Sequence, residues 1–493
     1  MRTVAGPTDK VIVVGAGLGG LACAIHLVAA GRDVTVLERT SAPGGRCGER
    51  RDGDFRFDTG PTVLTMPELL DRTMAAVGER SADWVDLVRL DPAYRAHFPD
   101  GSTLDVRATT TDTAAEIGRL CGLREAEGFL RFVDYASRLY DICWDAFIDR
   151  NLDGPLDLAG PSLARLTASG GFGRLSRRVG TFFADPRTRR VFSFQALYAG
   201  VPPHRARALY ALISYLDTVA GVYYPRGGMH AVARALAAVA VKHGVDIRYD
   251  HEVAGVDLVH GRARAVRLAD GTRLPADVVV LNPDLPVAAA ELLERPLRRR
   301  LRYSPSCVLL HLGVTAGYPH LAHHNIHFGR RWRATFDEIT RHGRTMSDPS
   351  LLVCNPSITE PAMAPPGARG LYVLAPAPNL TAGIDWRRTG PGYVEDLIDT
   401  LERRGYHGLS GATTVRNVVL PSDWAAAGMA AGTPFALAHT VGQTGPWRPA
   451  NLAPRLENVV FVGSGTQPGV GVPMVLVSGR LAAERVTGPR RVR

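Results

Sequence analysis

Lysine and cysteine are scarce in this chain of 493 residues. Lysine occurs only at Lys10 and Lys242, so arginine supplies nearly all of the basic charge behind the net charge of +10. The six cysteines are scattered and form no C-x-x-C pair. This spacing disfavours a disulfide-rich secreted domain and favours a reducing, cytoplasmic location. Nucleic-acid-binding motifs are also lacking, so nucleic acid is not the expected partner of the basic charge.

Unbroken apolar runs are absent as well, although two segments come close. The ranges 11–31 and 459–479 contain no Asp, Glu, Lys or Arg, but glycines and, in the second range, prolines interrupt both. Such interruptions break the helical continuity that a bilayer requires. We therefore expect neither a membrane span nor a cleaved signal peptide. The 45% apolar and 22% charged content exclude a mostly disordered chain, and the length predicts two domains.

What the sequence does contain begins with a glycine-rich turn between a buried strand and a helix. Residues 10–14 read as a parallel strand and residues 18–30 as the following helix. The turn between them is a G-x-G-x-x-G pattern formed by Gly15, Gly17 and Gly20, with a further glycine at Gly19. These glycines allow a tight turn, a close approach of a pyrophosphate and helix packing. The next strand ends at Glu38, whose carboxylate can accept the ribose hydroxyls of a bound dinucleotide.

Two further glycine-rich segments indicate which dinucleotide is bound. The first resembles the segment that follows the dinucleotide-binding motif in flavoproteins with a glutathione-reductase-like FAD fold. The alternative interpretation of this segment is a loop with no cofactor contact. Its candidate cofactor-binding residues are Arg39, Gly45, Arg46, Gly60, Pro61 and Thr62. The second is a C-terminal loop before a helix from about 475 to 486, and its candidates are Gly463, Gly465, Gly471, Val472, Pro473 and Met474. Val253 and Asn282 are added from the middle of the chain. No cysteine lies in the C-terminal loop, which favours noncovalent FAD.

With these motifs in place, the sequence strongly resembles the bacterial phytoene desaturase family over nearly its full length. The resemblance is carried by VIVVGAGLGGLACAIHL, PGGR, FDTGPTV, YYPRGGM (223–229), LAHHNIHFG (321–329), LYVLAPAPNL (371–380) and GSGTQPGVGVPMVLVSGR (463–480). Gln467 and Met474 depart from the family pattern. The resemblance implies an α/β fold of the amine-oxidase type, in which an α+β substrate domain is inserted into a glutathione-reductase-like, FAD-binding Rossmann domain. It also implies stepwise dehydrogenation of 15-cis-phytoene toward lycopene, with no catalytic residue identified.

The same resemblance sets the expected domain layout. The FAD-binding domain is expected to comprise 1–70, 221–285 and 441–493, and the substrate domain 71–220 and 286–440. Within the substrate domain we expect a hairpin over 85–107 with its turn at 99–102, helices over 112–150 and 204–221, and strands over 307–314 and 371–374. The tail 488–493 is expected to be solvated.

The expected substrate is a long apolar polyene, which the enzyme must collect from a membrane surface. Basic side chains at 298, 299, 300 and 302 are candidates for contact with anionic lipid, or else form a solvated helix end. A quinone or O2 is the expected electron acceptor. Aromatic residues are frequent and either line a tunnel or pack a core: Phe129, Phe132, Tyr135, Tyr140, Trp144, Phe147, Phe182, Phe183, Phe192, Phe194, Tyr198, Tyr210 and Tyr215.

Other functions are weighed against this one. A later-step carotenoid desaturase is the nearest alternative. An amine oxidase is disfavoured because lysine, which those enzymes often place near the flavin, is so rare here. A lipid-binding relative without FAD is disfavoured because Glu38 and the C-terminal glycine loop are both present. His323 and His327 have the spacing of a zinc pair only if helical, and we expect a strand-edge loop and no metal.

Overall fold

The computed structural model describes residues 1–489, so the last four residues of the predicted solvated tail lie outside the described part. The α-helices, in chain order, are α1 (Leu18–Val28), α2 (Pro67–Ala75), α3 (Thr110–Cys121), α4 (Leu123–Cys143), α5 (Pro161–Ala168), α6 (Leu175–Val179), α7 (Pro186–Val191), α8 (Ala211–Tyr215), α9 (His230–Lys242), α10 (Leu285–Val287), α11 (Trp332–Asp337), α12 (Trp386–Arg403), α13 (Leu409–Ala412), α14 (Pro421–Ala426) and α15 (Val472–Thr487). Among these described helices, none combines the length and the apolar character needed to cross a bilayer.

The strands form two large sheets and three small ones. They are β1 (Lys10–Val14), β2 (Asp33–Leu37), β3 (Glu49–Asp52), β4 (Phe55–Asp58), β5 (Leu87–Arg89), β6 (Tyr94–His97), β7 (Thr103–Val106), β8 (Tyr223–Pro225), β9 (Asp246–Arg248), β10 (Val253–Val259), β11 (Arg262–Leu268), β12 (Arg273–Pro275), β13 (Val278–Leu281), β14 (Ser306–Val314), β15 (His324–His327), β16 (Leu351–Cys354), β17 (Arg369–Ala377), β18 (Thr413–Val419) and β19 (Val459–Phe461).

The first large sheet is parallel and has the order β19-β13-β1-β2-β9. Because side chains alternate along a strand, Val11 and Val13 of β1 face the core that contains α1, α9 and α15. Ile12 and Val14 face the opposite core, which is closed by the antiparallel sheet β10-β11-β12. Strands from the start, middle and end of the chain therefore build one sheet.

The two long helices on one face of this sheet pack very closely. A Cβ added to Gly479 of α15 would lie 2.6 Å from the Cβ of Ala22 in α1 and 2.8 Å from the amide nitrogen of Cys23. Only glycine fits at this crossing. Helix α15 begins at Val472, three residues before the predicted start, because Pro473 is tolerated in a first helical turn, where its missing N–H has no helical partner.

The second large sheet has the order β18-β14-β17-β16-β15-β6-β7. All its strands lie in 71–220 and 286–440, the ranges predicted for the substrate domain and together called the substrate-facing half. Strand β14, next to the edge strand β18, is buried along its whole length and pairs with β17 and β18. Helix α12 covers one face with its apolar side. Strands β14 and β17 contain the predicted strands 307–314 and 371–374, and both are longer than predicted.

Three predictions for the substrate-facing half need correction. The turn at 99–102 does join a hairpin, β6–β7, but residues 87–89 leave it and pair with β8. The predicted helix 112–150 is two helices, because Gly122 adopts a φ of 92° between α3 and α4. The predicted helix 204–221 contains only the five residues of α8, followed by a π-helical turn at Leu216–Ala220.

Candidate functional site

One cavity of about 1050 Å³ runs from the carboxyl ends of the parallel strands into the substrate-facing half. In an open α/β sheet this edge is where ligands bind. Of the candidate cofactor residues, the cavity wall contains Gly15, Gly17, Gly19, Glu38, Arg39, Gly45, Arg46, Gly60, Pro61, Thr62, Val253, Asn282, Gly463, Gly471, Val472, Pro473 and Met474. The N-terminal and C-terminal glycine loops thus meet at a single site. Gly20 and Gly465 are absent from the wall.

The two glycine loops touch each other through the first turn of α1. A Cβ on Gly19 would lie 3.2 Å from the Cα of Gly463, and a Cβ on Gly17 would lie 2.7 Å from Nδ2 of Asn282. Gly17 is the N-cap of α1 and offers no side chain to its free amides. Gly471 stands in the same position before α15. Two uncapped helix N-termini therefore face the cavity, which suits phosphate groups.

The two candidate glycines outside the wall support the loops from behind. A Cβ on Gly20 would lie only 2.2 Å from the carbonyl oxygen of Gly15, so this glycine closes the tight turn. A Cβ on Gly465 would lie 2.7 Å from the Cβ of Leu285. Their role is to allow close packing and not to contact a ligand.

Glu38 is anchored at the end of β2 and is only 6% exposed. One carboxylate oxygen accepts a hydrogen bond from the Ala16 amide at 2.8 Å. The other accepts from the Thr40 amide at 3.0 Å and from the Thr40 hydroxyl at 2.8 Å. The side chain is thereby fixed against the glycine turn, with its carboxylate in the cavity wall. A carboxylate held in this way can accept further hydrogen bonds from ribose hydroxyls.

Arg46 connects the second glycine turn to the C-terminal loop. Its guanidinium donates to the Pro434 carbonyl at 2.5 Å and to the Ser464 hydroxyl at 2.6 Å. Burial lowers its pKa, and the nearby Asp284 carboxylate opposes that shift. Asp284 accepts from the Ala430 amide through one oxygen, while its other oxygen is buried without a hydrogen-bond partner among residues 1–489. This end of the wall therefore has spare hydrogen-bonding capacity toward a polar ligand edge.

Asp58 lies behind the cavity wall and was not among the predicted residues. It is 2% exposed and connects the FDTGPTV motif, to which it belongs, with the YYPRGGM motif. Its carboxylate accepts hydrogen bonds from the Tyr224 hydroxyl at 2.6 Å and from the Met229 amide at 2.8 Å. The turn after Asp58 also leaves no room for a side chain, because a Cβ on Gly60 would lie 2.0 Å from the Arg46 carbonyl oxygen. Both motifs were visible in the sequence, but nothing in it indicated their contact.

Arg448 is a second missed residue, and it holds the C-terminal glycine loop in place. Its side chain is fully buried and donates to the carbonyls of Thr466 at 2.8 Å and Ser464 at 2.5 Å. Longer bonds reach the carbonyls of Leu437 and Gln443. Burial lowers its pKa to about 10. A single arginine in an irregular loop carries no sequence signal for this role.

The aromatic residues divide between cavity wall and core. Those in the wall are Tyr140, Trp144, Phe147, Phe194, Tyr198 and Tyr210. Phe129, Phe132, Phe183 and Phe192 pack against one another in the core, with ring centroids 5.0 to 5.5 Å apart for the pairs in contact. Tyr135, Phe182 and Tyr215 also lie outside the wall. The part of the cavity beyond the glycine loops is therefore apolar and partly aromatic.

His327 of the predicted histidine pair lies within a strand, and His323 directly precedes that strand. Residues 324–327 form β15, buried between β16 and β6, because their alternating side chains pack on both faces of the second sheet. His324 is hydrogen-bonded to the Ala93 and Thr62 carbonyls, and burial lowers its pKa to about 4. Within residues 1–489, no three His, Cys, Asp or Glu side chains are grouped to hold a metal ion.

Comparisons with known proteins identify the family of the chain. The model of the flavin-containing amine oxidoreductases matches residues 18–487. The phytoene dehydrogenase of Streptomyces griseus is 55% identical over 100% of this chain and 98% of its own length. The chain belongs to the bacterial phytoene desaturase family of flavin-containing amine oxidoreductases. A zeta-carotene-forming phytoene desaturase of Myxococcus xanthus is 38% identical over 97% of this chain and 93% of its own length.

Solved structures show the amine-oxidase fold that the sequence predicted. An oxidoreductase from Methanosarcina mazei has a TM-score of 0.62 at 17% identity, covering 95% of this chain and 98% of its own. Cyclohexylamine oxidase from Brevibacterium oxydans has a TM-score of 0.61 at 14% identity, covering 98% and 99%. The family membership makes the chain an FAD-dependent oxidoreductase acting on CH–CH groups. The residues present fit FAD, because the glycine loops leave room beside two uncapped helix N-termini.

Proposed function

We propose that this desaturase converts 15-cis-phytoene stepwise toward lycopene with FAD as its cofactor. The observation that carries the proposal is the single continuous cavity, in which a polar glycine-lined part opens into an apolar part. A phytoene dehydrogenase that is 55% identical over the full chain supports the same substrate class. A long hydrocarbon needs such an apolar wall, because it has no polar group to satisfy.

The two parts of the cavity have separate tasks in this proposal. When bound, FAD supplies the hydride acceptor for the CH–CH group. The helix N-termini at Gly17 and Gly471 would hold phosphate oxygens through their backbone amides, and Glu38 would accept from the ribose hydroxyls. Arg46 and Asp284 would bind a polar part of the cofactor. The aromatic wall at Tyr140, Trp144 and Phe147 holds the chain in register and excludes water.

The number of steps and the chain length of the substrate define the main alternative. The relatives of this chain differ in their substrates and products. They include an all-trans-zeta-carotene desaturase of Myxococcus xanthus, 32% identical over 99% of this chain, and lycopene-forming phytoene desaturases. An amine oxidase is less well supported. Lys242 pairs with Glu79 at 2.6 Å and Lys10 begins β1, so neither lysine of the chain lines the cavity.

Product analysis tests the proposed function. The protein is supplied with 15-cis-phytoene in vesicles and with an oxidant, either a quinone or O2, and the carotenes are separated by chromatography. Lycopene and its partly desaturated precursors are the expected products. Unchanged phytoene would refute the proposal, and conversion of zeta-carotene but not phytoene would favour the later-step alternative. Comparing the two oxidants tests the proposed electron acceptor.

We also propose that the cytoplasmic enzyme collects its substrate at a membrane surface through an apolar rim at the cavity mouth. Val441 and Trp447 line the cavity and are 60% and 45% exposed. Leu156 is 88% exposed on a short helical turn that packs against residues 445–447. The basic candidates adjoin this rim, because the Arg299 guanidinium donates to the carbonyls of Trp447 and Gly442. Exposed apolar groups beside arginines suit an anionic lipid interface.

Vesicle flotation tests the membrane contact. Changing Arg298, Arg299, Arg300 and Arg302 to Gln should weaken binding to anionic vesicles, and changing Val441 and Trp447 to Ser should weaken binding to neutral ones as well. Changing the exposed Arg387 and Arg388, which begin α12, to Gln is the matched charge control. Undiminished flotation of both sets of variants would refute this surface.

A further inference from the structure

Asp217 is a buried carboxylate that the cofactor site does not use. It lies in the π-helical turn Leu216–Ala220, is 6% exposed and forms part of the cavity wall. Within residues 1–489, its carboxylate accepts no hydrogen bond and forms no ion pair, and burial is the only influence on its pKa. Buried carboxylates without a partner are rare, because desolvation of the charge is not compensated. Such groups and single π-helical turns are concentrated at functional sites.

No charged group among residues 1–489 contributes to the electrostatic environment of Asp217. Tyr94 of β6 and Tyr198 are the titratable groups that respond to its charge; desolvation raises the pKa of both, and the Asp217 carboxylate raises it further. Gln195 donates to the Tyr94 hydroxyl at 3.2 Å and accepts from the Ser214 hydroxyl at 3.1 Å. These neighbours form a fixed neutral network, and none of them compensates the carboxylate.

The position of Asp217 in the cavity suits contact with a bound hydrocarbon. Leu212, Ile213 and Leu216 of the same segment line the wall, as does Phe194. A substrate in the apolar part therefore passes an isolated carboxylate. An apolar polyene gains nothing from a carboxylate in its ground state. The carboxylate stabilises the polyene only when positive charge or an acidic proton develops on it during the reaction.

We propose that Asp217 is the catalytic base of the desaturation. One C–H bond of the saturated CH2–CH2 unit breaks and its electron pair leaves as hydride to oxidised FAD. The electron-deficient carbon is conjugated with the polyene. The C–H bond on the neighbouring carbon then breaks, its electrons form the new C=C bond, and the proton passes to the Asp217 carboxylate. One hydride and one proton leave, and the acid returns its proton to solvent before the next step.

The electrostatic setting of Asp217 is suited to this role. Burial raises its pKa from 3.8 to about 7, with no other cause contributing. A general base is most effective when its pKa lies near the working pH, because it is then both available and strong. The ionised carboxylate also stabilises positive charge on the neighbouring polyene, and this effect is large in a water-excluded cavity.

This inference rests on the proposed function, and its test separates the two. Asp217→Asn removes the base but keeps the size of the side chain, Asp217→Glu keeps a carboxylate, and Asp141→Asn on the exposed side of α4 is the matched control. We expect Asp217→Asn to lower the desaturation rate by roughly 10²-fold or more, while FAD content and phytoene binding stay at the wild-type level. Asp217→Glu should restore part of the rate, and Asp141→Asn should match the wild type.

Two readouts distinguish a base from a structural side chain. The wild-type rate should rise with pH through an apparent pKa of about 7, and this dependence should disappear in Asp217→Asn. Independently of turnover, a protonated-carboxyl infrared band should titrate near neutral pH in the wild type and be missing from Asp217→Asn. A wild-type rate, pH profile and infrared titration in Asp217→Asn would overturn the inference while leaving the desaturase function intact. If the wild-type protein leaves phytoene unchanged, the proposed function is refuted, and so is the role of Asp217 as its base.

Discussion

Replacing Asp58 with asparagine tests how the two central motifs are joined. The Asp58 side chain is buried, and its two oxygens accept hydrogen bonds from the Tyr224 hydroxyl and the Met229 amide. Burial, the largest cause, raises its pKa from 3.8 to about 6, although both hydrogen bonds oppose the shift. Asparagine has nearly the same shape and stays neutral. Its Oδ1 can accept from the Met229 amide and its Nδ2 can donate to the Tyr224 hydroxyl, which then becomes the acceptor, so the titration is removed while both groups still have a partner.

The pKa shift sets the size and the sign of the effect. A pKa raised from 3.8 to about 6 corresponds to about 3 kcal/mol between the two protonation states. Because the folded-state pKa lies above the unfolded value, the stability that this group contributes is fully present below about pH 4. It is lost as the pH rises through about 6. The free energy of unfolding of the wild type should therefore fall by about 3 kcal/mol relative to Asp58→Asn across that range.

Denaturant unfolding followed by tryptophan fluorescence at a series of pH values measures this difference. Asp54→Asn, at an exposed position in the turn between β3 and β4, is the matched control for the change of residue type. Parallel stability curves for the wild type and Asp58→Asn would refute the reasoning, because they would mean that Asp58 titrates alike in the folded and unfolded chain.

Two further predictions concern the cofactor loops. Gly20→Ala should abolish FAD retention, because its Cβ would lie 2.2 Å from the Gly15 carbonyl oxygen. The control Gly392→Ala, with open space around it in α12, should stabilise the protein by roughly 0.5–1 kcal/mol. Flavin absorbance after purification measures the first effect and thermal unfolding the second, and a yellow Gly20→Ala protein would contradict the first prediction. Glu38→Gln should weaken FAD binding by roughly 10-fold or more, because hydrogen bonds to a charged acceptor contribute about 1.5–3 kcal/mol. Quenching of flavin fluorescence on titration with the apoprotein measures this loss, and unchanged affinity would remove the ribose role from Glu38.

Much of the FAD-binding half could be predicted because its signals are local. The apolar run at 10–14 and the glycines after it define β1, a turn and α1 within twenty residues. Strands β13 and β19 are also short, locally apolar segments. Parallel strands end at one edge of their sheet, so the loops that follow them meet there without further information. Gly20 and Gly465 have the right residue type but serve packing, a distinction that depends on three-dimensional contacts.

The substrate-facing half was harder to predict because its structure depends on distant contacts. Gly122 was a visible break in the predicted helix 112–150, but the short length of α8 was not indicated by periodicity. Asp58 and Tyr224 are separated by 166 residues and meet only in the folded chain. Asp217 likewise has no hydrogen-bond or ion-pair partner among the described residues only because of how the chain folds. A sequence pattern does not indicate this.

The shared fold and the different substrates of its members follow from how the cavity is assembled. Loops after the parallel strands build the polar part, and these depend on glycine geometry that any FAD enzyme of this fold can use. The apolar part comes mainly from residues 140–217, a segment inserted between β7 and β8 that can change without disturbing the sheet. An amine oxidase with a TM-score of 0.61 at 14% identity shares this architecture. In this chain that wall combines aromatic rings with one isolated carboxylate, Asp217, which matches a substrate that is uncharged when it binds and acquires positive charge as it reacts.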